Sequence, residues 1–353
     1  MFLIIAILIF SFLIFIHEFG HFITAKLFDV KVNEFSIFMG PQLIHWGKGE
    51  TEYSIRLLPI GGYCAMEGED GDSDDPRAFH RKAPWKRIII LAAGAAMNFL
   101  AGIAILLVLY ATAGGFRTME ITGFVEGCPL EAEDAFQVGD VIEKINGDNV
   151  YIWSDFTMLT ERAGEGKMDF TVRRDGKRVE LQDVEMVKRD YTVDGETSHI
   201  FGLVFAGIEE KSVGSLLKNS WLTAVDFARM VKMGLLDLIT GRAGLKDMSG
   251  PVGIVDTIQE TGKSAATTAD GVMNVVYFGA FIAVNLAFMN MLPIPALDGG
   301  HIFLLLVTMI IEAISKKKLD PKYEAYIHAG GMVALLAFMA VITFHDIFRI
   351  VTG

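Results

Sequence analysis

The chain has 353 residues, of which 52% are hydrophobic and only 21% are charged. That composition is too apolar for a water-soluble domain of this length, and it predicts a membrane protein with a polar insert. Acidic residues outnumber basic ones by 43 to 31, which gives a net charge of -12. Nucleic acid is therefore excluded as a partner, because phosphate binding needs clustered Lys and Arg.

Four apolar segments are long enough to cross a bilayer, since a span needs about 20 apolar residues. The third of them is long enough for one span plus a re-entrant or broken piece. The N-terminal segment could alternatively be a cleaved signal peptide, but it lacks a basic start and a small-residue cleavage site. The sequence thus predicts a polytopic α-helical protein of about four spans, at 1–28, 88–112, 273–314 and 328–353.

Basic residues next to the spans predict the orientation, because Lys and Arg accumulate in cytoplasmic loops. They flank the first two spans on the 29–87 side and recur in the loop 315–327. These residues are Lys26, Lys31, Arg81, Lys82, Lys86, Arg87, Lys316, Lys317, Lys318 and Lys322. Both loops are therefore expected in the cytoplasm, and the N-terminus, the segment 113–272 and the C-terminus outside.

The first span contains His17, Glu18 and His21 in an H-E-x-x-H pattern within apolar sequence. On a helix, residues four apart share one face, so both imidazoles can bind one metal ion, for which zinc is the natural candidate. Glu18 can then act as general base toward a metal-activated water. Three polar side chains in an apolar span are costly to bury unless something binds them. A soluble zinc protease could carry the same motif, but it would place the helix in an aqueous domain.

A catalytic zinc site needs a third protein ligand and one open position. The third apolar segment contains Pro293 and Pro295, which predict a broken helix. Non-helical backbone is tolerated at membrane depth only where it is buried in protein or lines a water-filled cavity. Asp298 follows the break as an acid that needs a partner. Asp298 is therefore the expected third ligand, with His301 as an alternative.

Together, His17-Glu18-Phe19-Gly20-His21 and the stretch from Asn290 to Gly299, which reads N-M-L-P-I-P-A-L-D-G, resemble the site-2 proteases, specifically the bacterial RseP-type intramembrane zinc metalloproteases. The resemblance covers nearly the whole chain. It implies one Zn²⁺ per chain, Asp298 as third ligand, Asn290 as a residue that contacts the substrate backbone or helps to hold it open, and Pro293 as a further substrate contact. It also implies cleavage of single-span membrane proteins in a bacterial plasma membrane, with anti-sigma factors or remnant signal peptides as substrate classes.

Two further stretches are similar to features of that family. The segment 29–87 is expected to hold a β element that dips toward the membrane, in which Gly61, Gly62 and Tyr63 bind the unwound substrate as an added strand. A plain cytoplasmic hairpin is the alternative. The second span lacks the Gly-Pro of relatives and reads Gly94-Ala95-Ala96-Met97-Asn98. Asn98 is thus either a site residue or a polar contact between helices.

The polar insert at 113–208 has the composition of a small soluble domain. A Gly139-Asp140 turn and an Asn146-Gly147 hairpin signal make it look like one PDZ domain, an α+β fold that binds extended peptides. The preceding residues 130–136 depart from the family pattern, so the groove is expected to be altered. The resemblance implies that this domain gates substrate entry from outside, whereas a spacer without a ligand is the alternative. Residues 209–272 are expected to form amphipathic linker helices.

The expected activity is therefore zinc-dependent peptide hydrolysis within the bilayer, toward its cytoplasmic side. A membrane scaffold that binds peptides and retains the motif without cleavage is the rival interpretation. A membrane-anchored protease that acts on soluble substrates is another.

Overall fold

The computed structural model describes every residue except 48, 70, 72, 133–134, 194–195, 245–246, 318–321 and 353. Its helices are α1 (Phe2–Leu27), α2 (Pro84–Tyr110), α3 (Trp153–Ala163), α4 (Val213–Thr240), α5 (Pro251–Lys263), α6 (Thr268–Asn290), α7 (Asp298–Ser315) and α8 (Lys322–Thr352). Its strands are β1 (Val32–Trp46), β2 (Glu52–Met66), β3 (Gly115–Arg117), β4 (Gly123–Phe124), β5 (Val141–Ile145), β6 (Asp148–Asn149), β7 (Gly166–Arg174), β8 (Lys177–Met186), β9 (Arg189–Val193), β10 (Glu196–Ile200), β11 (Leu203–Val204) and β12 (Ile208–Glu210).

Five helices within the described part of the chain are long and apolar enough to cross a membrane: α1, α2, α6, α7 and residues 325–351 of α8. Their outward side chains include Leu8, Val108 and Phe344, which are 63%, 72% and 73% exposed. Apolar surface on this scale needs a hydrocarbon solvent, so the chain is a polytopic membrane protein. The predicted third span, 273–314, is divided into α6 and α7 around the two prolines. The expectation of about four spans stays a prediction.

The membrane helices belong to a compact unit formed by Met1–Leu109 and Phe227–Gly353. Within it, α1 packs against α5 and α6 through a core that includes Leu13, Ile258 and Val275. Small residues let the helices approach, since a Cβ on Gly279 would lie 3.1 Å from Ile9. Close packing of α1 against its neighbours holds the H-E-x-x-H motif inside protein rather than toward lipid.

Strands β1 and β2 pair with each other and pack against the C-terminal half of α1. Phe35 pairs with both Cys64 and Tyr53, so the first part of β1 lies between two parts of β2. The part of β2 from Gly62 to Met66 is therefore at an edge of this sheet among the described residues. The predicted β element is thus present, and its insertion into the membrane stays a prediction.

The second compact unit comprises Tyr110–Asp226. It contains a four-stranded sheet in the order β6-β5-β7-β8 with α3, and three two-stranded pairs. The predicted Asn-Gly hairpin is confirmed: Asn146 and Gly147 have φ of 49° and 86°, and Ile145 pairs with Asp148. The PDZ assignment stays a prediction, and residues 133–134 of the departing stretch lie outside the described part of the chain.

Two further predicted segments, 209–272 and 315–327, lie partly outside the described residues. Residues 209–272 contain α4, α5 and the start of α6, with 245–246 outside the described residues. The predicted cytoplasmic loop 315–327 includes 318–321, so its Lys318 lies outside them as well.

Candidate active site

Helix α1 is unbroken from Phe2 to Leu27, which places His17 and His21 on one face. Their Nε2 atoms are 3.2 Å apart. His21 is buried and His17 nearly so. The regular helix therefore brings two imidazole nitrogens to one point, as their spacing predicts.

Asp298 reaches the same point from the start of a helix that follows an irregular segment. Helix α6 ends at Asn290, and α7 begins at Asp298 after the break at 291–297. Ala296 in that break has φ of 80°, a conformation that costs an L-residue about 1–2 kcal/mol. A Cβ on Gly300 would lie 2.1 Å from the Ile294 carbonyl oxygen, so the break folds tightly over the start of α7. Asp298 is consequently held at a helix N-terminus, inside apolar sequence.

The three side chains converge on one position. Asp298 Oδ2 lies 3.3 Å from His17 Nε2 and 3.5 Å from His21 Nε2. The same oxygen is buried and has no hydrogen-bond partner among the described residues. A tetrahedral zinc with bonds of about 2.0–2.1 Å has ligand atoms about 3.3 Å apart. The three separations and the donor set of two imidazoles and one carboxylate therefore fit a zinc ion.

Helix α2 forms the wall behind the histidines. His21 Nδ1 lies 2.9 Å from the Ile90 carbonyl oxygen, and Asn98 Nδ2 lies 3.4 Å from His17 Nδ1. A Cβ on Gly94 would lie 2.4 Å from His21 Nε2, so only glycine leaves room for the imidazoles. Sequence reasoning missed Ile90 and Gly94, although they lie eight and four residues before Asn98, a spacing that repeats along one face of a helix.

Glu18 is half-buried beside His17, and β2 lies next to it. A Cβ on Gly62 would lie 3.4 Å from Glu18 Cγ. Gly61 has φ of 80°, and Tyr63 donates a hydrogen bond of 2.6 Å to Glu34. Gly62 therefore lies against Glu18 of the motif in α1, whereas Tyr63 directs its hydroxyl to Glu34 within the sheet.

The other predicted residues lie along the break. Asn290 is the last residue of α6, and Pro293 is exposed in the turn that leads to Asp298. His301, the alternative ligand, stacks its ring on His328 with centroids 3.5 Å apart. The cluster with metal-binding geometry contains Asp298 and not His301.

Comparisons with known proteins agree with this chemistry. The profile described as Peptidase family M50 matches residues 5–338. A protein of Clostridium acetobutylicum is 37% identical over 98% of this chain and 97% of its own length, and one of Clostridium perfringens is 34% identical over 98% of both. The names of both describe them as zinc metalloproteases. The regulator of sigma-W protease RasP of Bacillus subtilis is 29% identical over 98% of this chain and 97% of its own length.

Proposed function

The chain belongs to peptidase family M50, the site-2 proteases, and is a zinc metalloprotease of the membrane; we propose that it cleaves single-span proteins within the bilayer, using His17, His21 and Asp298 as zinc ligands. The convergence of three ligand atoms between apolar helices supports this assignment most strongly. The ligands come from α1 and α7, two helices that are long and apolar enough to span a membrane. A substrate helix must therefore reach the site from the lipid.

The residues around the site have different roles in the proposed hydrolysis. Zinc supplies a Lewis acid that polarises the scissile carbonyl and makes water acidic near neutral pH. Glu18 takes the proton from the attacking water and delivers it to the leaving amine. Asp298 contributes the negative charge that two neutral imidazoles lack.

Substrate binding is proposed to use the edge of β2. A transmembrane helix hides its amide bonds in its own hydrogen bonds, so it must be unwound before hydrolysis. The segment Gly62–Met66 lies at an edge of the sheet, and Gly62 adjoins Glu18. An unwound segment that pairs with this edge comes to lie beside the proposed base. Asn290 and Pro293 are proposed to contact the same segment from the side of the break.

The proposed orientation places the site toward the cytoplasm of a bacterial plasma membrane. His17 is ten residues from Leu27 (27 − 17), about 15 Å along α1, but fifteen from Phe2 (17 − 2), about 22 Å. Lys26, at the nearer end, is the basic residue of the last turn. With that end in the cytoplasm, the N-terminus and the unit Tyr110–Asp226 lie outside.

Residues 113–208, within the unit Tyr110–Asp226, are proposed to form a PDZ domain that gates substrate entry. Leu203–Val204 pairs with β4 along one edge, and Phe205 packs against Trp153 and Phe156 of α3. A peptide that adds between this segment and α3 would meet an aromatic lining. The name of the Bacillus relative supports a membrane-bound anti-sigma factor as substrate class, and remnant signal peptides are the second candidate.

The activity is tested with protein reconstituted in liposomes and a single-span model peptide. Wild type and Glu18→Gln are compared for zinc content and cleavage, with Glu260→Gln on the exposed face of α5 as the matched control. Glu18→Gln is expected to retain zinc and lose at least about 100-fold in rate, as for removal of a general base. Zinc retention without cleavage by wild type would favour a scaffold. Cleavage of soluble protein in preference to the embedded peptide would favour an outer protease.

The gate is tested by deleting residues 118–208. The deletion variant is expected to cleave an already trimmed substrate at the wild-type rate, which shows that the catalytic unit is intact. It is also expected to cleave a substrate that retains its bulky outer domain, which wild type rejects. Unchanged rejection would show that the domain is a spacer.

A further inference from the structure

The side of α2 that faces the histidines carries three features at a spacing of four residues: the Ile90 carbonyl, Gly94 and Asn98. Residues four apart lie on one helix face. His17 and His21 have the same spacing on α1. Each histidine therefore meets its own partner on α2, with Gly94 between them.

The partner of His21 fixes the proton of its ring. A carbonyl oxygen can only accept a hydrogen bond, so His21 Nδ1, at 2.9 Å from the Ile90 oxygen, must carry the proton. In a neutral imidazole this leaves Nε2 unprotonated. Nε2 is the atom that points to His17 Nε2 and Asp298 Oδ2. The backbone of α2 thus holds His21 in the form that binds a metal.

His17 has the same requirement, and the side chain of Asn98 is in place to meet it. A metal on His17 Nε2 requires a proton on Nδ1, and that N–H needs an acceptor. Asn98 Nδ2 is 3.4 Å from Nδ1, whereas Asn98 Oδ1 is buried without a hydrogen-bond partner among the described residues. Asn98 is only 2% exposed, so that oxygen is shielded from bulk solvent.

We propose that Asn98 is a positioning residue that accepts a hydrogen bond from His17 Nδ1 through Oδ1 and thereby holds His17 Nε2 free for zinc. Rotation of the amide exchanges Oδ1 and Nδ2 without changing its shape. The exchange places the unpartnered Oδ1 against the N–H that His17 carries on Nδ1 when Nε2 binds a metal. The inference rests on the proposed zinc site, and it assigns to α2 the orientation of both imidazoles.

The test measures zinc affinity of the full chain in detergent by competition with a chelator, together with the visible spectrum of the cobalt form. Asn98→Leu and Asn98→Ala remove the acceptor, whereas Asn98→Asp retains one. The removal variants are expected to bind zinc about 10–100-fold more weakly, as for the loss of a hydrogen-bond partner of a metal-ligating histidine. Their cobalt spectra are expected to lose intensity because His17 is no longer oriented. Asn98→Asp is expected to restore wild-type affinity and spectrum.

The outcomes separate this inference from the proposed function. Weak zinc binding by wild type, or no effect of Asp298→Ala, would contradict the zinc site itself. Normal wild-type binding with unchanged affinity in Asn98→Leu and Asn98→Ala would overturn the role of Asn98 alone. Thermal unfolding of the metal-free proteins shows which removal variants are folded. If neither is folded, Asn98→Asp decides, since an affinity more than about 10-fold below wild type would contradict an accepting role.

Discussion

The two sides of the proposed metal centre differ in backbone conformation. His17 and His21 lie on an unbroken helix and are oriented by a neighbouring helix, whereas Asp298 follows a break with a residue at positive φ. The helix side depends on regular spacing, on the room that Gly94 provides and on partners along one face of α2. The break side depends on tertiary support, because an irregular backbone inside a membrane protein must satisfy its polar groups within the protein.

Helix α8 provides part of that support. His328 Nδ1 accepts a hydrogen bond of 3.2 Å from the N–H of Ala296, the residue at positive φ. A Cβ on Gly331 would lie 2.3 Å from Pro295 Cβ, so α8 and the break are in close contact. Substitutions on the two sides should therefore weaken zinc binding by different routes and to different extents.

The largest effect is expected for Gly94→Ala on the helix side. The added Cβ would lie 2.4 Å from His21 Nε2 and 2.7 Å from His17 Cε1, so both imidazoles must move. We expect zinc affinity to fall at least about 100-fold, measured by chelator competition. Gly102→Ala is the control, because it gains the same helix propensity on α2 but faces Val284 rather than the histidines. Equal zinc affinities of the two variants would contradict the close packing of Gly94 against the two histidines.

An intermediate effect is expected for Ala296→Val in the break. A β-branched residue at φ of 80° is strongly disfavoured, so the turn should reopen and displace Asp298. Zinc affinity should fall about 10-fold, in the range of other changes that misorient a ligand. Ala296→Gly is the matched control, and it should preserve zinc binding and raise stability by about 1 kcal/mol. If Val and Gly behave alike, the positive φ is not what positions Asp298.

A smaller effect is expected for His328→Phe. Phenylalanine retains a ring to stack on His301 but leaves the Ala296 N–H without its acceptor, a cost of about 1–3 kcal/mol. Part of that cost should appear as a loss of zinc affinity of about 5-fold, since the break also contacts Gly331. Tyr326→Phe, at an exposed position of α8, provides the baseline. A loss as large as that for Gly94→Ala would indicate that the two sides are not independent.

The smallest effect on the centre is expected for Glu34→Gln, which alters the β1–β2 sheet and neither side of the site. Burial raises the pKa of Glu34, but hydrogen bonds from Ser54, Tyr63 and Arg56 outweigh it and hold the pKa below its usual range. Burial and the hydrogen bond to Glu34 raise the pKa of Tyr63 to about 12. Zinc affinity should be unchanged, and the free energy of unfolding should fall by about 1 kcal/mol.

The stabilisation by Glu34 has a defined pH dependence. Because the folded-state pKa lies below the unfolded value of about 4.3, the contribution is present above that pH and is lost as pH falls through the folded pKa. Wild type and Glu34→Gln should therefore differ in unfolding midpoint near neutral pH and converge in acid. A constant difference across the acidic range would contradict the charged network.

The two sides also differ in how far the sequence predicts them. The pair His17 and His21 follows from helical periodicity, which is a local property of the chain. The break before Asp298 follows from Pro293 and Pro295, because proline cannot continue a helix. Neither periodicity nor proline predicts that Ala296 adopts positive φ or that His328 binds its N–H, since those features depend on residues distant in sequence. Helical spacing places Ile90 on the same face of α2 as Asn98, but the contact of its carbonyl with His21 depends on tertiary structure and could not be predicted.

The central claim, that His17, His21 and Asp298 form one zinc site, is tested most directly by zinc X-ray absorption spectroscopy of Asp298→Cys. If Asp298 is a ligand, the variant should retain zinc and show one sulfur at about 2.3 Å, which wild type lacks. Asn290→Cys, at the end of α6, is the control and should show none. A nitrogen- and oxygen-only zinc environment in Asp298→Cys, with zinc bound at the wild-type stoichiometry, would contradict the proposed centre.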